Sequence, residues 1–260
     1  MQKKGQIGLF VVLGFALFAL VIFLLLFSLR TKLGQAELVM PALDVSVYAE
    51  QCLKGVTMEA AHLSGFQGGL IDTLGYSTVK SQGLKIPVYD STTFPEKRMI
   101  EQQLSVYIAN QTRECVLAGD FENLQVSNVS NADFSINKED VRVNLNLSIS
   151  ITTKTFSRSF KNFNSHVFLR YQEVYDGASR LVDAIESRIQ DGTLNITKHC
   201  GIFYLFDEYA DIVYESAGDD LVITIIDRMY YDAHRKKSFK FSFAFKDLNV
   251  TGNCVRFKGH

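Results

Sequence analysis

The spacing of hydrophobic residues divides the chain into three stretches. Gln6 to Leu29 form 24 consecutive residues without a formal charge. Two segments that follow, residues 41–64 and 92–119, repeat apolar positions every three or four residues, which predicts amphipathic helices. Further on the period changes to two, and Val141 to Thr152 alternate strictly between apolar and polar side chains. This last pattern predicts β-structure with one buried face.

The uncharged run is long enough to cross a lipid bilayer as a single helix. At about 1.5 Å per residue it reaches roughly 36 Å, whereas the hydrocarbon core of a bilayer is about 30 Å thick. Lys3 and Lys4 before the run nearly balance Arg30 and Lys32 after it, so flanking charge hardly sets the orientation. The free N-terminal amine tips the balance slightly toward a cytoplasmic N-terminus.

A cleaved secretory signal peptide is the alternative interpretation of this run. Such a peptide has about 7–15 apolar residues that end at a small-x-small site. Gly34 and Ala36 offer that site, but the run before them is much longer and is followed by basic residues. We therefore expect a permanent membrane anchor.

The remainder of the chain is mildly acidic. All 28 acidic residues and 23 of the 27 basic residues follow residue 32, which leaves a net charge of −5 there. This charge argues against a nucleic-acid partner. Together with four cysteines and five Asn-x-Ser/Thr triplets, it favours an extracytoplasmic location. The triplets, which are candidate glycosylation sites, begin at Asn110, Asn128, Asn146, Asn195 and Asn249.

The first predicted helix begins at Pro41 and ends before Gly65. Its apolar residues recur at spacings of three and four along one face. A short hairpin follows, with strands at 78–79 and 84–86, and Pro87 keeps the second strand at a sheet edge.

The second predicted helix has Thr92 or Thr93 as its cap and Pro95 near its first turn, and it closes at Gly119. After it, 124–136 and 155–168 are predicted as antiparallel neighbours of one strand over 141–152. A third helix follows near residue 171 and stops at Gly192. Further strands are predicted at 210–215, 221–228 and 240–245. Strands, a helix and strands again, without regular βαβ alternation, predict an α+β fold with a mostly antiparallel sheet.

The four cysteines allow three pairings. Cys52 and Cys115 each lie on the apolar face of a predicted helix, whereas Cys200 and Cys254 fall in the sheet part. We therefore expect the disulfides Cys52–Cys115 and Cys200–Cys254. The predicted organisation is an anchor at 1–33, a two-helix subdomain at 34–120 and an α+β domain at 121–260.

The sequence Lys-Lys-Gly-Gln at residues 3–6, which leads directly into the apolar run, resembles the class III signal peptide of archaeal type IV pilin-like proteins. In that family a prepilin-type peptidase cuts between Gly and Gln, so the apolar helix stays on the mature protein. The resemblance implies a cut between Gly5 and Gln6. Many pilins carry Glu at the fifth mature position, which is Phe10 here, so this chain departs from the pattern that supports filament assembly. The order of anchor, cysteine helices and α+β part is also similar to membrane-anchored proteins common in small archaeal genomes, a resemblance that implies no particular activity.

The remaining motifs give little indication of a catalytic, phosphate-binding or metal site. His199 beside Cys200 could activate a thiol, but we expect that cysteine in a disulfide. Residues 65–69 (Gly-Phe-Gln-Gly-Gly) lack the Lys-Ser/Thr of a phosphate-binding loop, and they are typical of a helix stop. The acidic pairs at 207–208 and 219–220 are expected in solvated turns, with a calcium site as the alternative. The basic residues 234–237 are expected at a hairpin tip.

These patterns predict a single-pass cell-membrane protein with its C-terminal domain extracytoplasmic. The expected function is a non-enzymatic, pilin-like structural and interaction protein without metal or cofactor. Its expected partners are the lipid bilayer, a prepilin-type peptidase and other surface or pilin-like proteins. The alternative is an anchored surface enzyme or solute-binding module whose site the sequence does not reveal.

Overall fold

The computed structural model describes residues 44–81, 83–129, 131–152, 157–204, 210–217, 219–232 and 237–251. The predicted anchor at 1–33 and the predicted cut at Gly5–Gln6 therefore lie outside the described residues. Among the helices that are described, none is both long enough and apolar enough to span a membrane.

Three α-helices and thirteen strands make up the described chain. The helices are α1 (residues 44–66), α2 (Lys97–Leu117) and α3 (Tyr171–Glu186). The strands are β1 (Thr78–Ser81), β2 (Leu84–Pro87), β3 (Leu124–Val126), β4 (Asp133–Ile136), β5 (Asp140–Leu145), β6 (Ile149–Thr152), β7 (Ser157–Phe160), β8 (Phe163–Phe168), β9 (Thr193–Asn195), β10 (Ala210–Ala217), β11 (Asp220–Asp232), β12 (Lys237–Phe245) and β13 (Asn249–Thr251). A 3-10 helix covers Thr197–Tyr204.

The strands form five small sheets. β1 pairs with β2, and the three-stranded sheets have the orders β3-β6-β7, β4-β5-β8 and β10-β11-β12. These pairs are antiparallel, whereas β9 and β13 pair in parallel. The mixed α+β class, the mostly antiparallel pairing and the short hairpin at β1 and β2 are confirmed.

The prediction of one strand over 141–152 is wrong, because this segment divides between two sheets. β5 ends at Leu145 and β6 begins at Ile149. Leu147 between them stays fully buried, which is why the alternation of apolar and polar residues continues through the break. The two predicted neighbours divide in the same way, into β3 and β4 and into β7 and β8, so three long predicted strands become two three-stranded sheets.

The helix boundaries also differ from the predictions. α1 continues through Gly65 to residue 66 before Gly68 and Gly69 adopt positive φ angles of 62° and 101°. α2 begins two residues after Pro95, with neither predicted threonine as its cap. The backbone N–H groups of both threonines instead donate to Oδ1 of Asp90, so they form a separate turn.

The prediction that Gly192 stops α3 is wrong. The helix ends at Glu186, and the backbone N–H of Ser187 donates to the Asp183 carbonyl oxygen. Gln190 and Thr193 then exchange backbone hydrogen bonds around Gly192, whose φ is 71°. Gly192 therefore serves this later turn rather than the helix end.

α1, α3 and β12 contribute buried residues to one hydrophobic core. This core includes residues on both sides of position 120, where the boundary between the two-helix subdomain and the α+β domain was predicted. A side chain at Gly65 would place its Cβ 2.3 Å from the Lys240 carbonyl oxygen, so the α1 backbone lies directly against β12. Fully buried Tyr171 has its hydroxyl 2.6 Å from Ser64 Oγ, and Ser64 donates to the Gly69 carbonyl oxygen at 2.7 Å. These contacts fix the end of α1 against α3.

α2 is held against β4 by side-chain hydrogen bonds to the strand backbone. Glu101 Oε1 accepts from the backbone N–H of Ile136 at 3.0 Å, and Lys97 Nζ donates to the Ile136 carbonyl oxygen at 2.8 Å. Ser105 Oγ bonds both the N–H and the carbonyl oxygen of Ala132, just before the strand. The helix thereby positions the β4-β5-β8 sheet.

Candidate functional site

A disulfide between Cys52 and Cys115 joins α1 to α2, as predicted. The two Cα atoms are 5.8 Å apart, and Cys52 is 4% exposed. The Tyr48 hydroxyl donates to the Cys115 carbonyl oxygen at 3.3 Å. Cys200 lies in the 3-10 helix and Cys254 lies outside the described residues, so the second disulfide stays a prediction.

The β4-β5-β8 sheet presents an outward face of ordered polar side chains. Strand pairing aligns Asp133, Asn144 and Asn164 in one row, Ser135, Arg142 and His166 in the next, and Asp140 and Phe168 in the third. The alternate residues of the same strands point inward, and most of them are buried.

The Asp140 carboxylate organises the centre of this face. Its Oδ1 accepts from Asn137 Nδ2 at 2.8 Å, and its Oδ2 accepts from Arg142 Nε and Nη2 at 3.1 and 3.0 Å. His166 Nε2 lies 2.6 Å from the same Oδ2. Burial by itself raises the pKa of the Asp140 carboxyl, but the hydrogen bonds from these three side chains outweigh burial and lower the pKa below its ordinary value.

This cluster presents a fixed guanidinium and a fixed imidazole to solvent. The Arg142 side chain is 64% exposed and the His166 side chain 45% exposed, although both contact Asp140. The His166 ring lies 4.5 Å from the Phe168 ring, which is 70% exposed. Within the described part of the chain, no hydroxyl or thiol is hydrogen-bonded to His166. The arrangement can therefore hold donors and an aromatic surface toward a partner.

An open groove of about 500 Å³ lies beside the first row of the outward face. We name it the amide groove because five carboxamides and one carboxylate line it. Asn144 Nδ2 donates to Asp133 Oδ2 at 3.3 Å across the two strands. The polar side chains that line the groove are Asn131, Asp133, Asn144, Asn146, Asn162 and Asn164.

A second cleft, of about 560 Å³, lies at the opposite end of β8. Phe168 and Met229 flank it, and Glu139, Arg170 and Glu173 supply its charges. Arg170 contacts Glu173 and lies 3.7 Å from Oδ1 of fully buried Asp227. Burial raises the pKa of the Asp227 carboxyl, although a backbone hydrogen bond from Met229 and the Arg170 charge act in the opposite direction.

The candidate glycosylation sites do not form one site. Asn110 is exposed on α2, Asn128 is exposed after β3, and Asn146 lines the amide groove. Asn195 is half-buried at the end of β9, where its Oδ1 accepts from the Lys198 N–H at 3.1 Å, and Asn249 begins β13.

The other predicted features are scattered as well. His199 lies in the 3-10 helix, and Gly68 and Gly69 end α1, as the helix-stop interpretation requires. Asp219 and Asp220 lie at the turn into β11, where Asp220 Oδ1 accepts from the Asp247 N–H. Residues 207–208 and 234–236 lie outside the described ranges. No group of three His, Cys, Asp or Glu residues suited to a metal ion occurs among the described residues.

Sequence reasoning missed both the Asp140 cluster and the amide groove. A signal for the groove is present, since Asn-x-Asn occurs at 144–146 and again at 162–164, which places amides on one face of paired strands.

Comparison of the chain with protein-family models, with curated proteins and with solved structures found no match.

Proposed function

We propose that this chain is a single-pass membrane-anchored, pilin-like protein that acts outside the cytoplasm as a structural and interaction component, without catalysis. The outward face of the β4-β5-β8 sheet carries the proposal. There the Asp140 carboxylate immobilises Arg142 and His166 beside exposed Phe168. Side chains that are ordered in advance lose less conformational freedom on binding, and Arg and aromatic residues are enriched at protein interfaces.

Two observations support this proposal, one for the extracytoplasmic location and one for the membrane anchor. The Cys52–Cys115 disulfide is of a kind that persists in oxidising compartments. The uncharged run from Gln6 to Leu29 has the length and composition of a bilayer-spanning helix. The resemblance at residues 3–6 supports processing by a prepilin-type peptidase, with the bilayer and other surface or pilin-like proteins as further partners.

The interaction proposal is tested by site-specific photocrosslinking. The full chain, co-expressed with a prepilin-type peptidase, carries the photoreactive amino acid benzoylphenylalanine at Phe168 or, as a matched control, at exposed Leu74. We expect adducts with envelope components from position 168 and few from position 74. Equal yields at both positions would refute the outward face as the interaction surface.

Location and processing are tested on the same preparation. A membrane-impermeant protease added to whole cells should digest the C-terminal part, and the intact mass should lack residues 1–5. Full protection of the C-terminal part from the protease would refute the extracytoplasmic location.

The second cleft is the observation that favours the alternative, an anchored enzyme or solute-binding module. Glu139, Arg170 and Glu173 line it, and Arg170 lies 3.7 Å from buried Asp227 behind the cleft. A charged cleft beside a carboxyl with a raised pKa is a common feature of functional sites. A small-molecule panel in a thermal-shift assay tests this alternative. A stabilising compound whose effect is lost in Glu173→Gln and retained in the exposed-site control Glu122→Gln would favour it.

A further inference from the structure

We propose that the amide groove binds a neutral carbohydrate chain at the cell surface. The inference names a partner for the interaction protein proposed above and depends on that proposal for its compartment.

The chemistry of the groove lining matches hydroxyl groups. Each carboxamide offers two N–H donors and an acceptor oxygen, and each sugar hydroxyl both donates and accepts. Asp133 supplies the one formal charge among the lining side chains, and its carboxylate already accepts a hydrogen bond from Asn144. A neutral ligand with many hydroxyls therefore meets complementary groups at most positions along the groove.

Strand pairing fixes where these amides stand. Asn144 of β5 pairs directly with Asn164 of β8, and Asp133 of β4 pairs with Asn144 on its other side. Side chains at such paired positions have Cβ atoms about 5 Å apart. Asn146 and Asn162 continue the groove past the strand ends. All six lining polar side chains are exposed, so their amides can reach a ligand without a change in the backbone.

The shape of the groove favours a chain over a single small molecule. Its volume of about 500 Å³ lies within the usual range for ligand sites, and it is open to solvent rather than enclosed. Phe168 stands on the same face of β8, four residues beyond Asn164, which is about 13 Å along a strand. An oligosaccharide that extends from the groove along β8 passes His166 and reaches this exposed ring, whose apolar face suits the C–H surface of a pyranose.

The charge of the groove lining argues against other classes of ligand. A nucleic acid or an anionic polysaccharide is bound through Lys and Arg side chains, and none lines the amide groove. A calcium ion takes six to eight oxygen ligands, usually with several carboxylates, and the lining offers a single carboxylate. The neutral amide lining fits neither class.

The test is calorimetric titration of the full chain, purified in a non-glycosidic detergent from a host that does not glycosylate Asn-x-Ser/Thr sites. The probes are neutral trisaccharides of glucose, mannose and N-acetylglucosamine, with heparin and calcium chloride as charged probes. We expect at least one neutral trisaccharide to bind. The double variant Asn144→Asp/Asn164→Asp keeps the side-chain size but exchanges amide donors for charged acceptors. Its affinity for the trisaccharide should therefore fall about tenfold or more. Asn128→Asp, exposed outside the groove, should bind as the wild type does.

Three results of the titration would overturn the inference. They are the absence of binding for every neutral trisaccharide, equal affinity in the double variant and the wild type, and binding of heparin or calcium alone. A native glycan on Asn146 would itself occupy the groove, and the variant Ser148→Ala removes this attachment triplet while it keeps the Asn146 amide. If the native protein carries such a glycan and Ser148→Ala protein from the native host binds no neutral trisaccharide, the inference is also overturned. Photocrosslinking at Phe168 is an independent measurement, so protein adducts there without sugar binding would remove this inference and leave the proposed function standing.

Discussion

Removal of the Cys52–Cys115 disulfide is expected to lower the free energy of unfolding by about 4 kcal/mol. The bridge joins residues 63 positions apart. For a loop of that length the chain-entropy relation gives about 14 cal/mol/K, or about 4 kcal/mol at 25 °C. Alanine is the appropriate replacement because Cys52 is 4% exposed, and a serine hydroxyl at that position would be buried.

The measurement is urea unfolding of the full chain with a parallel thermal melt. For a protein of this size, a loss of about 4 kcal/mol corresponds to a fall in Tm of roughly 8–16 °C. The variants are Cys52→Ala, Cys115→Ala and the double replacement. Either single replacement already opens the loop, so all three variants should lose nearly the same free energy.

Two outcomes would refute this reasoning. A loss below about 1 kcal/mol in the double variant would mean that the covalent link hardly restricts the unfolded chain. Single losses that add up to the double loss would mean that each sulfur acts through its own packing and the bridge contributes little.

Four further replacements test the packing and the electrostatics. Gly65→Ala should lower the free energy of unfolding by about 2 kcal/mol or more, because its Cβ would meet the Lys240 carbonyl oxygen. In the same helix, a Cβ added at Gly55 would meet no other part of the fold within 4 Å, so Gly55→Ala should raise that free energy by about 0.5–1 kcal/mol. Equal effects of the two replacements in urea unfolding would contradict the close approach at Gly65. The pKa of Asp140 is lowered on folding, so its carboxylate stabilises the fold above its unfolded pKa of about 3.9, and this stabilisation is lost as pH falls through the folded value. Asp140→Asn should therefore cost about 1–2 kcal/mol at pH 7 and little near pH 2, and an equal cost at both pH values would contradict the assignment. Burial raises the pKa of Asp227, so ionisation opposes folding, and Asp227→Asn should raise the Tm more at pH 7 than at pH 3; the reverse order would refute that direction.

The sequence predicted the elements whose pattern is local. The start of α3 near residue 171 and the hairpin of β1 and β2 depend on residues a few positions apart, and both appear where expected. The Cys52–Cys115 pair was also predictable, since each cysteine lies on the apolar face of its own helix. The cap of α2 was not, because Thr92 and Thr93 suit both a helix cap and the turn that Asp90 closes.

The candidate site depends on strand pairing, which one sequence does not reveal. Asp140 and His166 are 26 residues apart and meet only because β5 pairs with β8. The break after Leu145 was hidden because Leu147 keeps the apolar alternation while the chain passes from one sheet to the next. Alternation reports which face of a strand is buried, and it carries no information about which sheet the strand joins.

The disulfide also gives the proposed anchored protein a defined mechanical load path. Tension between the bilayer and a ligand on the outward face would enter α1 near residue 44 and leave it at Cys52, through a covalent bond rather than through packed side chains. From Cys115 the force continues along the backbone toward β3 and β4. The hydrogen bonds of the Lys97 and Glu101 side chains to the Ile136 backbone add a second connection between α2 and β4. The remainder of α1 and the β10-β11-β12 sheet lie off this path, so these two parts of the fold carry little of the tension.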